Sequence, residues 1–426
     1  MKTNAPISAF AELDQTTTVS GIHTQNPAVM ERRRNQWPKV TITLSQLHRR
    51  ALIAVLAFTV FACVGAGVAN AQVKHVAGLT VLNVQEPETD VDFVNAQAMQ
   101  LPLNPLPADQ TQAMIEAMVS TPALGTPGSS TGAKGTGNTS PRFLGTPAAS
   151  EGGVTPEAFG TNNHPFSTAR ADLYGLNTNT SYPDRAAGKL FFKIGTASYI
   201  CSASLVKRGI VVTAAHCVAN YGRSTFYSGW QFVPGYRNGS APFGTWTVKQ
   251  AWIKTAYFNG TDGCAVFGIV CPDDVAVLIL NTTPAGGYPG TATGWLGYGW
   301  NGYSFTSNHQ TQITQFGYPA GLDNAAYMER NDSYGYVSSS NSNNTIIGSN
   351  MNGGSSGGPW IANFGLPSAL TGETNGSAPA PDVVVGVTSW GYTNLALKEQ
   401  GASPFTSNNI VSLLGSACTS TPAACK

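Results

Sequence analysis

An antiparallel all-β fold is the architecture that the longer, C-terminal part of this 426-residue chain predicts, and three observations predict it. Apolar runs there are short and rich in Val, Ile and Thr. Gly, Asn and Pro interrupt them at close intervals, and no helical pattern alternates with them, so parallel βαβ units are not signalled. The helical signal is confined to a weak stretch near Asn408 to Leu414.

The elements follow in chain order. Arg32-Arg33-Arg34, Lys39 and His48-Arg49-Arg50 precede an apolar stretch from Ala51 to about Val68, and Ala69-Asn70-Ala71 has the small-residue form of a signal-peptidase site. Residues 1–71 therefore read as a signal peptide with a long basic region, cleaved before Gln72. Initiation at Met30 in place of Met1, or retention of the apolar stretch as an anchor, are the alternatives. Residues 72–158 read as a prosegment: modest apolar content from Val73, a short helix over Asp109–Met118, then a Gly, Ser, Thr, Ala and Pro-rich linker from Ser120 to Gly160. That linker composition offers too little burial to offset the entropy of ordering. Arg142 and Glu157 are its processing positions, and the region able to bury a large core begins near residue 165.

Composition excludes several classes. Only 11% of residues are charged and the net charge is +1, so there is no basic footprint for nucleic acid. Six of the seven cysteines lie beyond residue 200, an even set that reads as disulfides in an oxidising compartment. Sequence proximity pairs Cys201 with Cys217, Cys264 with Cys271, and Cys418 with Cys425. Secretion follows, with no stable membrane association once the signal is removed, and a monomer is expected. There is no H-E-x-x-H, no glycine-rich phosphate loop and no paired C-x-x-C, so neither a metal nor an organic cofactor is signalled.

Two segments carry chemistry. The apolar runs Cys201–Val206 and Gly209–Thr213, broken by Lys207-Arg208, lead directly into His216, which a Cys201–Cys217 bridge would anchor as a general base at the end of a rigid strand. Closing that loop contributes about 3 kcal/mol in the chain-entropy model. Farther on, Gly354-Ser355-Ser356-Gly357-Gly358-Pro359 supplies small residues around an exposed hydroxyl, with the N–H groups of Gly354 and Ser356 as an oxyanion hole. The same residues match the G-x-S-x-G elbow of α/β-hydrolases, but those enzymes place the base after the serine, and the last histidine here is His309. Upstream of His216 no acidic residue has a buried-strand setting, which rejects the subtilisin order. An aspartate between His216 and Ser356 is then required, and Asp274, at the mouth of the apolar run Val275–Leu280, is chosen over its neighbour Asp273, read as solvated.

Thr213-Ala-Ala-His216-Cys217, Asp274-Val-Ala-Val-Leu and Gly354-Ser-Ser356-Gly-Gly-Pro together resemble the signature blocks of chymotrypsin-like serine proteases. Gly386-Val387-Thr388-Ser389-Trp390-Gly391 resembles the strand on which that family lays the substrate backbone, with Ser389 near the catalytic aspartate and Trp390-Gly391 lining the primary pocket. Phe159–Asn162, Ser181–Pro183, Ala187–Leu190 and Gly317–Pro319 resemble the bacterial glutamyl-endopeptidase branch, the likeness running from about residue 160 to 415. The resemblance implies two six-stranded antiparallel β-barrels with the active site in the cleft between them, a serine protease domain over 159–426, and a serine endopeptidase acting on proteins or peptides. His216 and Asp274 would come from the first barrel and Ser356 from the second. An esterase on the same fold, or a non-catalytic binding homologue, are the alternatives.

Two departures from the family pattern stand out. The aspartate that pairs with a new N-terminus in digestive members is Ser355 here, so that activation switch is absent and any prosegment would act by blocking the cleft or assisting folding. Six positions before the serine stands Asn350, and where the glutamyl branch carries a histidine close to the substrate-binding strand this chain has Thr388-Ser389-Trp390. A neutral pocket of Asn350, Met351 and Trp390 would favour an uncharged side chain.

Overall fold

Each apolar run of the sequence becomes a strand that bonds to its neighbour until the sheet closes on itself. The computed structural model describes residues 72–85, 87, 89–118, 126–147, 165–172, 177–305, 310–336, 346–365 and 380–426. The basic and apolar N-terminal stretch, Glu157 and His309 lie outside these residues. Six strands make a first barrel: β1 (Ala187–Ile194), β2 (Ala197–Lys207), β3 (Ile210–Thr213), β4 (Ser228–Pro234), β5 (Trp246–Lys254) and β6 (Ala276–Leu280). They pair in the cyclic order β1-β2-β3-β6-β5-β4, and β4 returns to β1.

A second barrel repeats that order. It comprises β7 (Gln310–Gly317), β8 (Glu329–Tyr336), β9 (Ile346–Gly348), β10 (Pro359–Ala362), β11 (Val383–Tyr392) and β12 (Glu399–Pro404). Their cycle is β7-β8-β9-β12-β11-β10, closed by β10 on β7. Closure removes sheet edges, which is why short strands suffice. On the first barrel's strands Leu190, Phe192, Leu205, Val211, Val277 and Ile279 are fully buried, the last two on the sheet face opposite Val211. The C-terminal helix Ser412–Ser420 is longer than the sequence signal and packs Leu413, Leu414 and Ala417 into the same core.

The chain before residue 165 departs most from expectation. The hairpin Gln72–Val76 and Leu79–Asn83 extends the first barrel by pairing Leu79–Asn83 with β5, and it buries Leu79, Val81 and Leu82. Within the stretch read as an unstructured linker, Gly128–Ser130 pairs with Tyr298–Trp300 and Arg142–Phe143 with Ser240–Ala241. Composition misled here because sheet edges and bridges such as Ala133 to Trp295 supply backbone partners that apolar side chains need not provide. Core formation therefore begins near residue 79, and the helix expected at Asp109–Met118 spans Ala108–Met118.

Three disulfides join Cys201 to Cys217, Cys264 to Cys271 and Cys418 to Cys425. One buried cation stands out in the first barrel. Lys189 is 2% exposed; its Nζ donates to the Ala325 carbonyl at 2.9 Å and lies 4.5 Å from the Tyr236 ring. Burial pushes its pKa down to about 7. Between that value and the unfolded value near 10.4, the unfolded chain carries the extra proton, so stability should rise with pH across that window. Denaturant melts at pH 6, 8 and 10 should show the parent gaining stability relative to Lys189→Met as pH rises, a difference in which the opposing contributions of Glu329 and Asp262, common to both chains, cancel.

Candidate active site

Strand register brings the first two site residues together. Thr213 of β3 lies opposite Ala276 of β6 in an antiparallel pair, so the residues leaving β3 meet those entering β6. His216 thereby sits beside Asp274. The Asp274 carboxylate accepts the backbone N–H of His216 at 2.8 Å through one oxygen. Its other oxygen lies 2.8 Å from His216 Nδ1 and accepts the Ser389 hydroxyl at 2.6 Å. Three partners satisfy a carboxylate that is 2% exposed, as a desolvated charge requires. With Nδ1–H donating to the carboxylate, Nε2 is left as the basic nitrogen.

Ser356 comes from the turn before β10. Ser202 of β2 docks that turn on the first barrel: its N–H donates to the Ser356 carbonyl at 2.7 Å and its hydroxyl to the Gly354 carbonyl at 2.9 Å. Gly354 has φ +94° and Gly357 φ +76°. A Cβ on Gly357 would stand 2.0 Å from Thr213 Oγ1, so only glycine lets the two barrels approach this closely. Ser356 is fully buried, and neither its Oγ nor His216 Nε2 makes a hydrogen bond. The Gly354 N–H donates to the Met99 carbonyl at 2.9 Å.

Ser355, where digestive members carry an aspartate, is buried and neutral. Its hydroxyl donates to the Asn352 carbonyl at 2.6 Å, so no buried charge awaits an ammonium partner.

A cavity of about 300 Å³ opens beside the serine turn, lined by Ser349 to Gly353, Gly391, Tyr392 and Leu397 to Gln400. Asn350 lines it, and its side chain accepts the Thr168 hydroxyl at 3.0 Å. Met351 and Gly391 line it too. Trp390 does not; its buried ring stands edge-on to Tyr392 at 5.3 Å and lies against Gly401. Sequence reading missed a neutral network beneath the pocket: Gln315 Nε2 donates to Thr388 Oγ1 at 2.8 Å and to Gln400 Oε1 at 2.5 Å, while Gln400 Nε2 donates to the Met351 carbonyl at 2.8 Å. Glu399 was also missed, and it adds a carboxylate to the lining. Both residues of β12 lie in a polar stretch, Lys398-Glu399-Gln400-Gly401, that carries no strand signal of its own.

Asp273, expected to be solvated, is half-buried, and its backbone N–H donates to Asp262 at 2.9 Å. Burial and the neighbouring Asp273 charge push Asp262 up to about 7. Two groups with metal-binding side chains, Cys201/His216/Cys217 and Asp262/Cys264/Cys271, have both cysteines tied as disulfides and so offer no thiolate.

The Trypsin family model matches residues 178–409, more than half of the sequence. The chain belongs to the trypsin family. That family is one of serine-type endopeptidases, hydrolases of proteins and peptides. It is 28% identical over 147 residues to the extracellular metalloprotease of Bacillus subtilis (strain 168), a match covering 33% of this chain and 41% of that protein. Solved structures similar to it include the protease Anisep from Arthrobacter nicotinovorans, with 23% identity, a TM-score of 0.44, and coverage of 61% of this chain and 99% of that one. A Glu endopeptidase structure has 17% identity and a TM-score of 0.43, covering 59% and 96%. Among the described residues, no helix is long and apolar enough to cross a membrane.

The carboxylate geometry sets a graded expectation for this trypsin-family site. Asp274→Asn should lower kcat/KM about 10⁴-fold, the loss seen when such a triad carboxylate is neutralised. Ser389→Ala removes one hydrogen bond to the charge, about 1.5–3 kcal/mol, and should cost about ten- to a hundredfold. Steady-state kinetics on a peptide ester checks both, and equal losses in the two variants would contradict the ranking.

Proposed function

We propose that this chain is a secreted serine endopeptidase that works through an acyl-enzyme on Ser356. The observation that carries the reading is the buried Asp274 carboxylate bonded at once to His216 Nδ1 and Ser389, beside a serine turn whose Gly354 N–H is directed at a backbone carbonyl, that of Met99. In this mechanism His216 Nε2 takes the Ser356 proton as Oγ attacks the scissile carbonyl. Gly354 and Ser356 N–H groups receive the oxyanion, and His216⁺ returns the proton to the leaving amine. Water, deprotonated by His216, then releases the acid and restores Ser356. Asp274 orients His216 and holds the imidazolium.

Secretion is supported by the three disulfides, which persist in oxidising compartments, and by the signal-like sequence of residues 1–71. Residues 72–158 remain our proposed prosegment, although their described parts pack on the barrels. For the primary pocket, the neutral Gln315–Gln400 network, Asn350 and Met351 favour an uncharged side chain, with Glu399 disfavouring an acidic one.

A fluorophosphonate probe should label the protein once per chain, and labelling should vanish in Ser356→Ala. Peptide-library cleavage should then show uncharged residues before the cut and acidic ones absent. Labelling that survives Ser356→Ala would sink the assignment, and hydrolysis of esters without any peptide cleavage would favour the esterase.

A further inference from the structure

The segment Gln97–Asn104 runs straight through the cleft just described. Gln97 and Ala98 pair in parallel with Tyr199 and Ile200 of β2, and Leu103 and Asn104 in parallel with Gly391 and Tyr392 of β11. Between these pairings the Met99 N–H donates to the Ile200 carbonyl at 2.9 Å, and the Met99 carbonyl accepts the Gly354 N–H at 2.9 Å. Pro102 and Asn104 carbonyls accept the N–H groups of Gly391 and Thr393 at 3.0 and 3.1 Å. Leu101 and Leu103 lie on Gly391 and, with Gln100, line the cavity's outer side. The segment thus occupies the oxyanion donor, the substrate strand and the pocket mouth together.

We propose that Gln97–Asn104 is an internal peptide inhibitor that fills the substrate groove in the direction opposite to a substrate. The inference rests on the catalytic reading of Ser356, His216 and Gly354. A substrate's acyl part precedes its scissile carbonyl and must lie along β11 beside the primary pocket. Its leaving amine follows that carbonyl, towards Ile200 and the Cys201–Cys217 bridge next to His216. Here residues after the Met99 carbonyl run along β11, and residues before it lie against Ile200.

Polarity explains why the segment survives next to a nucleophile. Attack on Met99 would have to expel the Gln100 nitrogen, which stands on the β11 side of the carbonyl rather than on the side where His216 delivers its proton. Pro102, Pro105 and Pro107 hold the run extended. Anchors at both ends keep it in place: Asp92 N–H donates to Ser198 Oγ at 3.0 Å, and buried Asn104 donates to Thr111 Oγ1 at 2.6 Å. Upstream, the hairpin on β5 holds it to the first barrel by strand pairing as well as by the covalent chain.

The test uses the full chain and the double variant Leu101→Asp/Leu103→Asp. Fluorophosphonate labelling of Ser356 should be at least tenfold faster in the double variant. In a Ser356→Ala background, amide exchange at Gly354 and Gly391 should be slow with the native segment and fast with the variant, while Val212 in β3 stays protected in both and so reports an intact barrel. Equal labelling rates, or fast exchange at Gly354 in both chains, would overturn the proposal. An exchange contrast with no labelling of either chain overturns the catalytic reading instead.

Discussion

Everything in this site depends on how closely two separately closed barrels can approach at one serine. Ser202, on β2, spends each of its polar groups on the seam. Its N–H and hydroxyl donate to Ser356 and Gly354, the hydroxyl accepts the Tyr318 N–H at 2.9 Å, and its carbonyl accepts the Thr213 hydroxyl at 2.9 Å. These partners include the nucleophile, the oxyanion turn and the strand leading to His216. The two closed barrels meet here through main-chain groups and the short Ser202 side chain. That close approach is what fixes glycine at 357.

The seam also decides the electrostatics. Asp274 is taken out of water at the cleft floor, and its donors come from both barrels: His216 from the first and Ser389 from the second. A carboxylate held this way orients the imidazole from both sides of the seam. By contrast, the floor of the pocket is built of amides and hydroxyls. Position 355 is neutral as well, so the serine turn reaches its conformation through the Asn352 carbonyl rather than through a buried ion pair. Control over such a preassembled site must come from outside the turn, and the reversed segment over Gly354 and Gly391 has that position.

The family was legible in the sequence because it depends on local motifs: a histidine after a strand, an aspartate before one, a serine among glycines. The order of these motifs was enough to exclude other serine hydrolases. Barrel closure was legible only through resemblance, since no alternation pattern says which strand returns to which. The pocket floor was not legible, because Gln315, Ser349 and Gln400 are polar residues whose burial arises from three distant strands. Residues 126–147 misled for the opposite reason. Their composition lacks apolar side chains, yet backbone pairing to Tyr298–Trp300 and Ser240–Ala241 orders them. Pro102 and its neighbours did carry a signal, an extended proline-spaced run, whose partner could not be named from sequence.

The central claim is that the seam at Ser202 holds nucleophile and base in register, and Ser202→Ala tests it most directly. The substitution orphans the Tyr318 N–H and the Gly354 carbonyl but leaves the triad and both barrels their own contacts. Relative to the parent in the same background, fluorophosphonate labelling of Ser356 should slow by about tenfold or more, in line with about 1–3 kcal/mol for a buried group left unpaired. Amide protection in β3 and β10 should persist. A labelling rate equal to the parent's would contradict the account.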